Sequence, residues 1–290
     1  MIKCIVCDLD GTLIRYDDMI EEKTLQLLRQ CIEQGIEFII ATGRDINMVK
    51  DIIEKYHFHC DLILNNGTQY INKERTMNEI YPMNNQAFID IATILHQYRY
   101  LLAIHTDHGK YSLVDQETFW DYHMKLLLQS SQFPTEKELP RKTFTTREGY
   151  LRDFHYAPTP QDIINQGVKV LKIDARHLDV KSIEGVKDRL NIEHLLYSSS
   201  FEDNIEITSD VIDKGRMLKR VLSQKGYHMD EVATFGDGIN DVGLLDVLYS
   251  FAPANACHQV QKKAHHILTL TNEEGAVGEG IQWLKDKNLI

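Results

Sequence analysis

Strand and helix signals alternate at both ends of the chain and give way to a different rhythm between them. This interruption constrains the fold more than any single motif. Residues 3–7 read as an apolar strand. Asp17 or Asp18 is placed to cap a helix running to about Gln34, with Gly35 as its stop. "IEFIIA", residues 36–41, is a second strand and ends at Thr42-Gly43-Arg44. Asp45 caps a second helix through about Tyr56, and "LIL" at 62–64 is a third strand, followed by an Asn65-Asn66-Gly67 turn. Strands alternating with helices predict βαβ units in a parallel sheet.

From about Met83 the pattern changes. A helix over 86–98 precedes two strand-like runs, "LLAIHT" and "KYSLVD", and a short helix near 119–128 leads into a polar stretch with Pro134 and Pro140. "VKVLKID" reads as a strand, 180–189 as a helix, and "EHLLYSS" and "NIEIT" as strands. Helices set against paired antiparallel strands predict an α+β unit. After Asp210 the first rhythm returns. A helix over 213–225 stops at Gly226, "EVATFGD" is a strand, a helix starts near Ile239, "YSFAPA" follows, and a last helix runs over 276–286. The fold class expected is therefore α/β: a Rossmann-like parallel-sheet core, residues 1–82 and 210–290, interrupted by a smaller α+β cap domain, residues 83–209.

Composition narrows the function classes. With 43 acids against 32 bases the net charge is −11, and no Lys/Arg-rich block breaks it, which argues against a nucleic-acid partner. No apolar run approaches the roughly 18 residues of a membrane span, and the N-terminus reaches acids before a signal-peptide core could develop. A cytoplasmic protein with no membrane partner is expected; oligomeric state is not legible. Cys4 and Cys7 form one C-x-x-C, but three places apart on a strand they point to opposite faces, and no second pair completes a zinc site. Core packing suits them better.

Four strand ends carry chemistry, and ligands of open α/β sheets bind at such ends. In D-L-D-G-T-L, residues 8–13, Asp8 and Asp10 are two apart on an extended chain and can face one cleft. Gly11 allows a tight turn whose amides can face an anion. An Asp can act as a covalent nucleophile, and the second acid could protonate a leaving group and then activate water. A calcium loop also uses D-x-D-G, but no further ligands follow at loop spacing. Thr42 and Gly43 at a helix start make an anion seat, although strand-Thr-Gly turns are common by themselves. Lys214 opens a helix against its dipole, which suits a lysine over a phosphate and carboxylates as well as a solvated surface residue. "FGDGIND", residues 235–241, adds Asp237 as a candidate Mg2+ ligand, with Asn240 and Asp241 in support.

Taken together, DLDGTL, ATGR, DKG and GDGIND resemble the signatures of the haloacid dehalogenase (HAD) superfamily, in its Cof-like branch of metal-dependent phosphatases with an α/β cap of the C2B type. "FAPANA" and "EEGAV" fit loosely, with Ala254 where the family often has glycine. The resemblance implies that Asp8 is the nucleophile and forms an aspartyl-phosphate, and that Asp10 is the general acid/base with its backbone carbonyl on Mg2+. It further implies substrate contacts from Leu9, Gly11, Thr42, Gly43, Lys214 and Asn240, and a metal set of Asp8, Asp10, Asp237 and Asp241. The resemblance also implies Mg2+ as cofactor and a small phosphorylated metabolite as substrate.

Thirteen histidines invite metal readings. His105 and His108 have a ligand-like spacing but fall at an expected hairpin, and ordinary packing or solvent roles suit them. The aromatic run at 118–124 reads as cap core. A phosphotransferase or phosphomutase would share every motif. A receiver-like phosphate-accepting module would need neither Asp10 nor the large insert.

Overall fold

The computed structural model describes residues 1–130, 135–187, 190, 192–199 and 203–290; Pro134 and the end of the helix expected at 180–189 lie outside them. The chain divides into two compact units, Met1–Glu79 with Ile212–Ile290, and Ile80–Val211.

The first, core unit is built on an eight-stranded sheet. Its strands are β1 (Cys4–Cys7), β2 (Glu37–Ala41), β3 (Asp61–Leu64), β4 (Gln69–Ile71) and β5 (Asn78–Ile80), then β12 (Val232–Phe235), β13 (Tyr249–Ala252) and β14 (His266–Ile267). Their order is β14-β13-β12-β1-β2-β3-β4-β5. The pairs from β14 to β3 are parallel and β3–β4 is antiparallel. Successive strands step away from β1 on one side through β2 and β3, and on the other through β12 and β13. That reversal of direction puts the switch point, where open α/β sheets bind ligands, at the carboxyl ends of β1 and β12. β1 is buried at every position, as a central parallel strand must be.

Five helices belong to this unit: α1 (Glu22–Glu33), α2 (Ile46–Tyr56), α8 (Lys214–Lys225), α9 (His258–Lys263) and α10 (Ala276–Asp286). Asp45 and Asp213 cap α2 and α8 by accepting from Met48 N and Arg216 N. The start expected for α1 is corrected. Glu21, not Asp17 or Asp18, is its cap, accepting from Lys23 N at 2.9 Å and Thr24 N at 2.7 Å. Asp18 instead adopts φ 58° and turns its side chain inward. The helix expected near Ile239 is a 3-10 segment, Ile239–Asp246. Among the described residues no helix is long and apolar enough to cross a membrane.

The inserted unit carries a six-stranded sheet of β6 (Leu101–Thr106), β7 (Gly109–Ser112), β8 (Phe154–Tyr156), β9 (Val170–Arg176), β10 (Leu195–Ser198) and β11 (Asn204–Ser209). The order is β10-β11-β9-β6-β7-β8, antiparallel except for β7–β8. Its helices are α3 (Asn85–Gln97), α4 (Gln116–Ser130), α5 (Arg147–Tyr150), α6 (Pro160–Asn165) and α7 (Val180–Lys187). The short helix expected near 119–128 is thus longer, and β8 and α6 were not anticipated. Phe88, Ile91, Leu102, Ile104, Ile173 and Ile207 are among the residues of one apolar core. The other side of the same strands carries buried Lys110, Lys172, Arg176 and Glu206.

Candidate active site

Asp8 leaves the end of β1 and donates its backbone N–H to Phe235 O at 3.0 Å, which ties the loop to β12. Leu9 O then accepts from the N–H groups of Thr12, Leu13 and Ile14, closing a tight turn. The Leu9 side chain is fully buried in the apolar core, so a part for Leu9 at the site falls to its backbone. Gly11 has φ 79°, and a Cβ there would lie 2.4 Å from Asp237 Oδ2; only glycine fits. Asn255 supports the turn by donating to Gly11 O at 2.8 Å.

Four segments distant in sequence meet at this point. Lys214 is 1% exposed, and its Nζ donates to Asp8 Oδ1 at 2.7 Å and Asp241 Oδ1 at 2.6 Å. Lys214 is therefore not a solvated surface lysine. Close packing holds it there: Gly67 has φ 100°, and a Cβ on it would lie 2.3 Å from the Asp213 carbonyl carbon. The second oxygen of Asp241 accepts from the N–H groups of Asp237 and Gly238 at 3.1 and 3.0 Å. Asp237 accepts from Thr12 Oγ1 at 2.6 Å. Asn240 Nδ2 donates to Asn66 Oδ1 at 3.0 Å, joining the 235–241 loop to the turn after β3. Thr42, 1% exposed, accepts from Arg44 N at 3.1 Å, and its carbonyl accepts from Asn66 N.

Asp8, Asp237 and Asp241 each bring an oxygen within 4.8 Å of the others. Three carboxylates against the single ammonium of Lys214 leave an excess of negative charge in a buried place. Burial, with Asp241 beside it, holds the Asp8 carboxyl well above the usual range. The same causes push Asp237 up to about 7. Burial alone would lower Lys214, but the carboxylates of Asp241 and Asp8 more than offset it and keep the ammonium charged. An all-oxygen donor set with surplus negative charge fits a hard divalent cation such as Mg2+. Among the described residues no histidine joins a group able to hold a metal. His105 is buried on β6 and His108 is exposed beside Asp107.

Asp10 stands apart from that cluster. Its half-exposed carboxylate is gripped at both oxygens by Arg44, which also holds Asp18. The sequence reading missed Arg44, Asp18 and Thr12 as participants. Their residue types were visible, but their partners lie across loops that a linear pattern does not pair.

Comparison with known proteins follows the same lines. A sequence model of the haloacid dehalogenase-like hydrolases matches residues 5–281. The chain is 27% identical to phosphatase YwpJ of Bacillus subtilis, over 98% of this chain and 100% of that one. It is 25% identical to the 5-amino-6-(5-phospho-D-ribitylamino)uracil phosphatase YwtE of B. subtilis, over 98% of each chain. The solved structure of a haloacid dehalogenase-like hydrolase from B. subtilis superposes with a TM-score of 0.84 at 25% identity, covering 98% of this chain and 100% of that one. The chain belongs to the haloacid dehalogenase-like hydrolases, in their Cof-like branch.

Proposed function

We propose that this hydrolase is a Mg2+-dependent phosphatase of small phosphorylated metabolites, a sugar phosphate or a phosphorylated cofactor, acting through an aspartyl-phosphate on Asp8. The observation that carries the reading is Lys214 bridging Asp8 and Asp241 with Asp237 alongside. That arrangement brings a nucleophilic carboxylate and a buried cation to one point at the switch of the sheet. The name of the YwtE relative, a phosphatase of a phosphorylated ribitylaminouracil, supports the substrate class. Five free cysteines, four of them buried, support a reducing, cytoplasmic setting.

Asp8 Oδ attacks phosphorus as the bond to the ester oxygen breaks, and Asp10 gives that oxygen its proton, releasing an alcohol. Asp10, now a carboxylate, takes a proton from water. The hydroxide oxygen attacks phosphorus, the bond to Asp8 breaks, and phosphate leaves with both carboxyl groups restored. Lys214 and Thr42 hold the phosphoryl oxygens, with the Gly11 and Gly43 amides facing the same anion. Asp8 and Asp237, with Asp241 in support and the Asp10 carbonyl, would hold Mg2+, which when bound supplies charge stabilisation to the transferring phosphoryl group. Asn240 supports this set through its bond to Asn66.

Free phosphate measured over a panel of phosphorylated sugars, nucleotides and cofactors tests the reading. Release is expected to require Mg2+ and to fall roughly a thousandfold or more in Asp8→Asn. Full activity in that variant would sink the reading. Phosphate moved to a second hydroxyl, with none set free, would make the protein a transferase.

A further inference from the structure

We propose that Arg44 is a positioning residue for Asp10, with Asp18 as its anchor; the inference rests on the phosphatase reading, in which Asp10 moves the proton of the leaving group. Arg44 is only 4% exposed. Its guanidinium uses two edges at once. Nε donates to Asp10 Oδ2 at 2.7 Å and Nη2 to Asp10 Oδ1 at 2.6 Å. On the adjacent edge Nη2 donates to Asp18 Oδ1 at 2.7 Å and Nη1 to Asp18 Oδ2 at 3.3 Å.

The planar fork fixes orientation in a way a point charge cannot. The Asp10 side chain is 49% exposed, where an unheld carboxylate would sample several rotamers. Gripped at both oxygens, its plane is defined. The fork is itself immobilised, because Asp18 is turned inward at φ 58° with its side chain 11% exposed. An acid in that backbone conformation, freed from the helix-capping role its position suggested, has the Arg44 fork as its partner. Arg44 also donates its backbone N–H to Thr42 Oγ1 at 3.1 Å. One residue thus links the hydroxyl proposed to hold the phosphoryl group with the acid proposed to serve the ester oxygen. Registration between those two groups decides whether a proton reaches the departing atom.

A clamp that merely ties two loops together would act on every substrate alike, whereas a device for aiming Asp10 acts according to the need for a proton. The experiment compares kcat/KM for p-nitrophenyl phosphate, whose leaving group departs without a proton, and phenyl phosphate, a poorer leaving group of similar size. Arg44→Gln is expected to lower kcat/KM for phenyl phosphate by roughly tenfold or more, and for p-nitrophenyl phosphate by less than about threefold. In an Asp10→Asn background the same change is expected to have almost no further effect. Arg44→Lys, which restores charge but no fork, is expected to remain impaired on phenyl phosphate. Asp18→Asn, with Arg44 intact, tests the anchor and is expected to show the same leaving-group dependence to a smaller degree. Equal losses on the two substrates, or full additivity with Asp10→Asn, would overturn the proposal. Wild-type protein that releases phosphate from neither aryl substrate nor any member of the metabolite panel overturns the phosphatase reading first, a result separate from these.

Discussion

In the core unit Lys214 faces Asp8 and Asp241 with Asp237 beside them, three carboxylates to one ammonium. In the inserted unit, buried charge on and beside β9 and β11 comes in pairs: Lys172 meets Glu206 at 2.9 Å, and Arg176 meets Asp203. Both arrangements remove charges from water, which costs several kcal/mol per ion. Matched pairs recover that cost internally and contribute to holding a sheet together. An unmatched cluster does not, and an external cation would complete it. Balance, rather than burial, separates the two.

Single neutralisations should therefore act oppositely in the two units. Glu206→Gln removes the carboxylate that the buried Lys172 ammonium meets and is expected to cost about 3–5 kcal/mol of unfolding free energy in urea titration. In the metal-free protein, Asp8→Asn relieves repulsion among buried carboxylates, and its melting temperature is expected to stay level or rise. A core site as sensitive as the Lys172–Glu206 pair would break the comparison.

A smaller effect sharpens it. His123 on α4 is buried against Tyr150, with ring centroids 3.9 Å apart, and one ring nitrogen lies 2.7 Å from Phe144 O. Burial, aided by the charges of Arg176 and Lys110, pushes its pKa down to about 3. The unfolded chain takes up this proton near pH 6.5 and the folded chain only near 3, so the unfolded state binds more protons between them. The contribution to stability is complete above about 6.5 and lost as pH falls, by about 2 kcal/mol at pH 5. In His123→Gln the dependence of unfolding free energy on pH between 7 and 5 should be shallower by that amount. An unchanged slope would mean that this histidine takes up its proton in the fold near the same pH as in the unfolded chain.

Local rules carried the reading a long way. The last helix falls at Ala276–Asp286, as expected, because Gly275 marks its start and an apolar face repeats along it. The motif-bearing strand ends were legible because glycines, caps and alternation act over a few residues. Other features depend on partners far along the chain. Thr12 and Asp237 are separated by 225 positions and Arg44 and Asp18 by 26, and neither pairing leaves a periodic trace. Asp17 and Asp18 both suit a cap by type and place, whereas tertiary pairing with Arg44 claims Asp18. The 239–246 segment, read as an ordinary helix, is held as a 3-10 turn where Gly243 backs directly onto Gly215 of α8.

Titration of Mg2+ into metal-free protein, by calorimetry and by melting temperature, tests the unmatched cluster most directly. Wild-type protein is expected to bind the ion at one site and gain about 2.7 kcal/mol of stability at a hundredfold excess over Kd. Asp237→Asn should bind it much more weakly, and Glu206→Gln, once folded, as wild type does. Failure of wild-type protein to bind Mg2+, or equal binding by Asp237→Asn, would contradict the account.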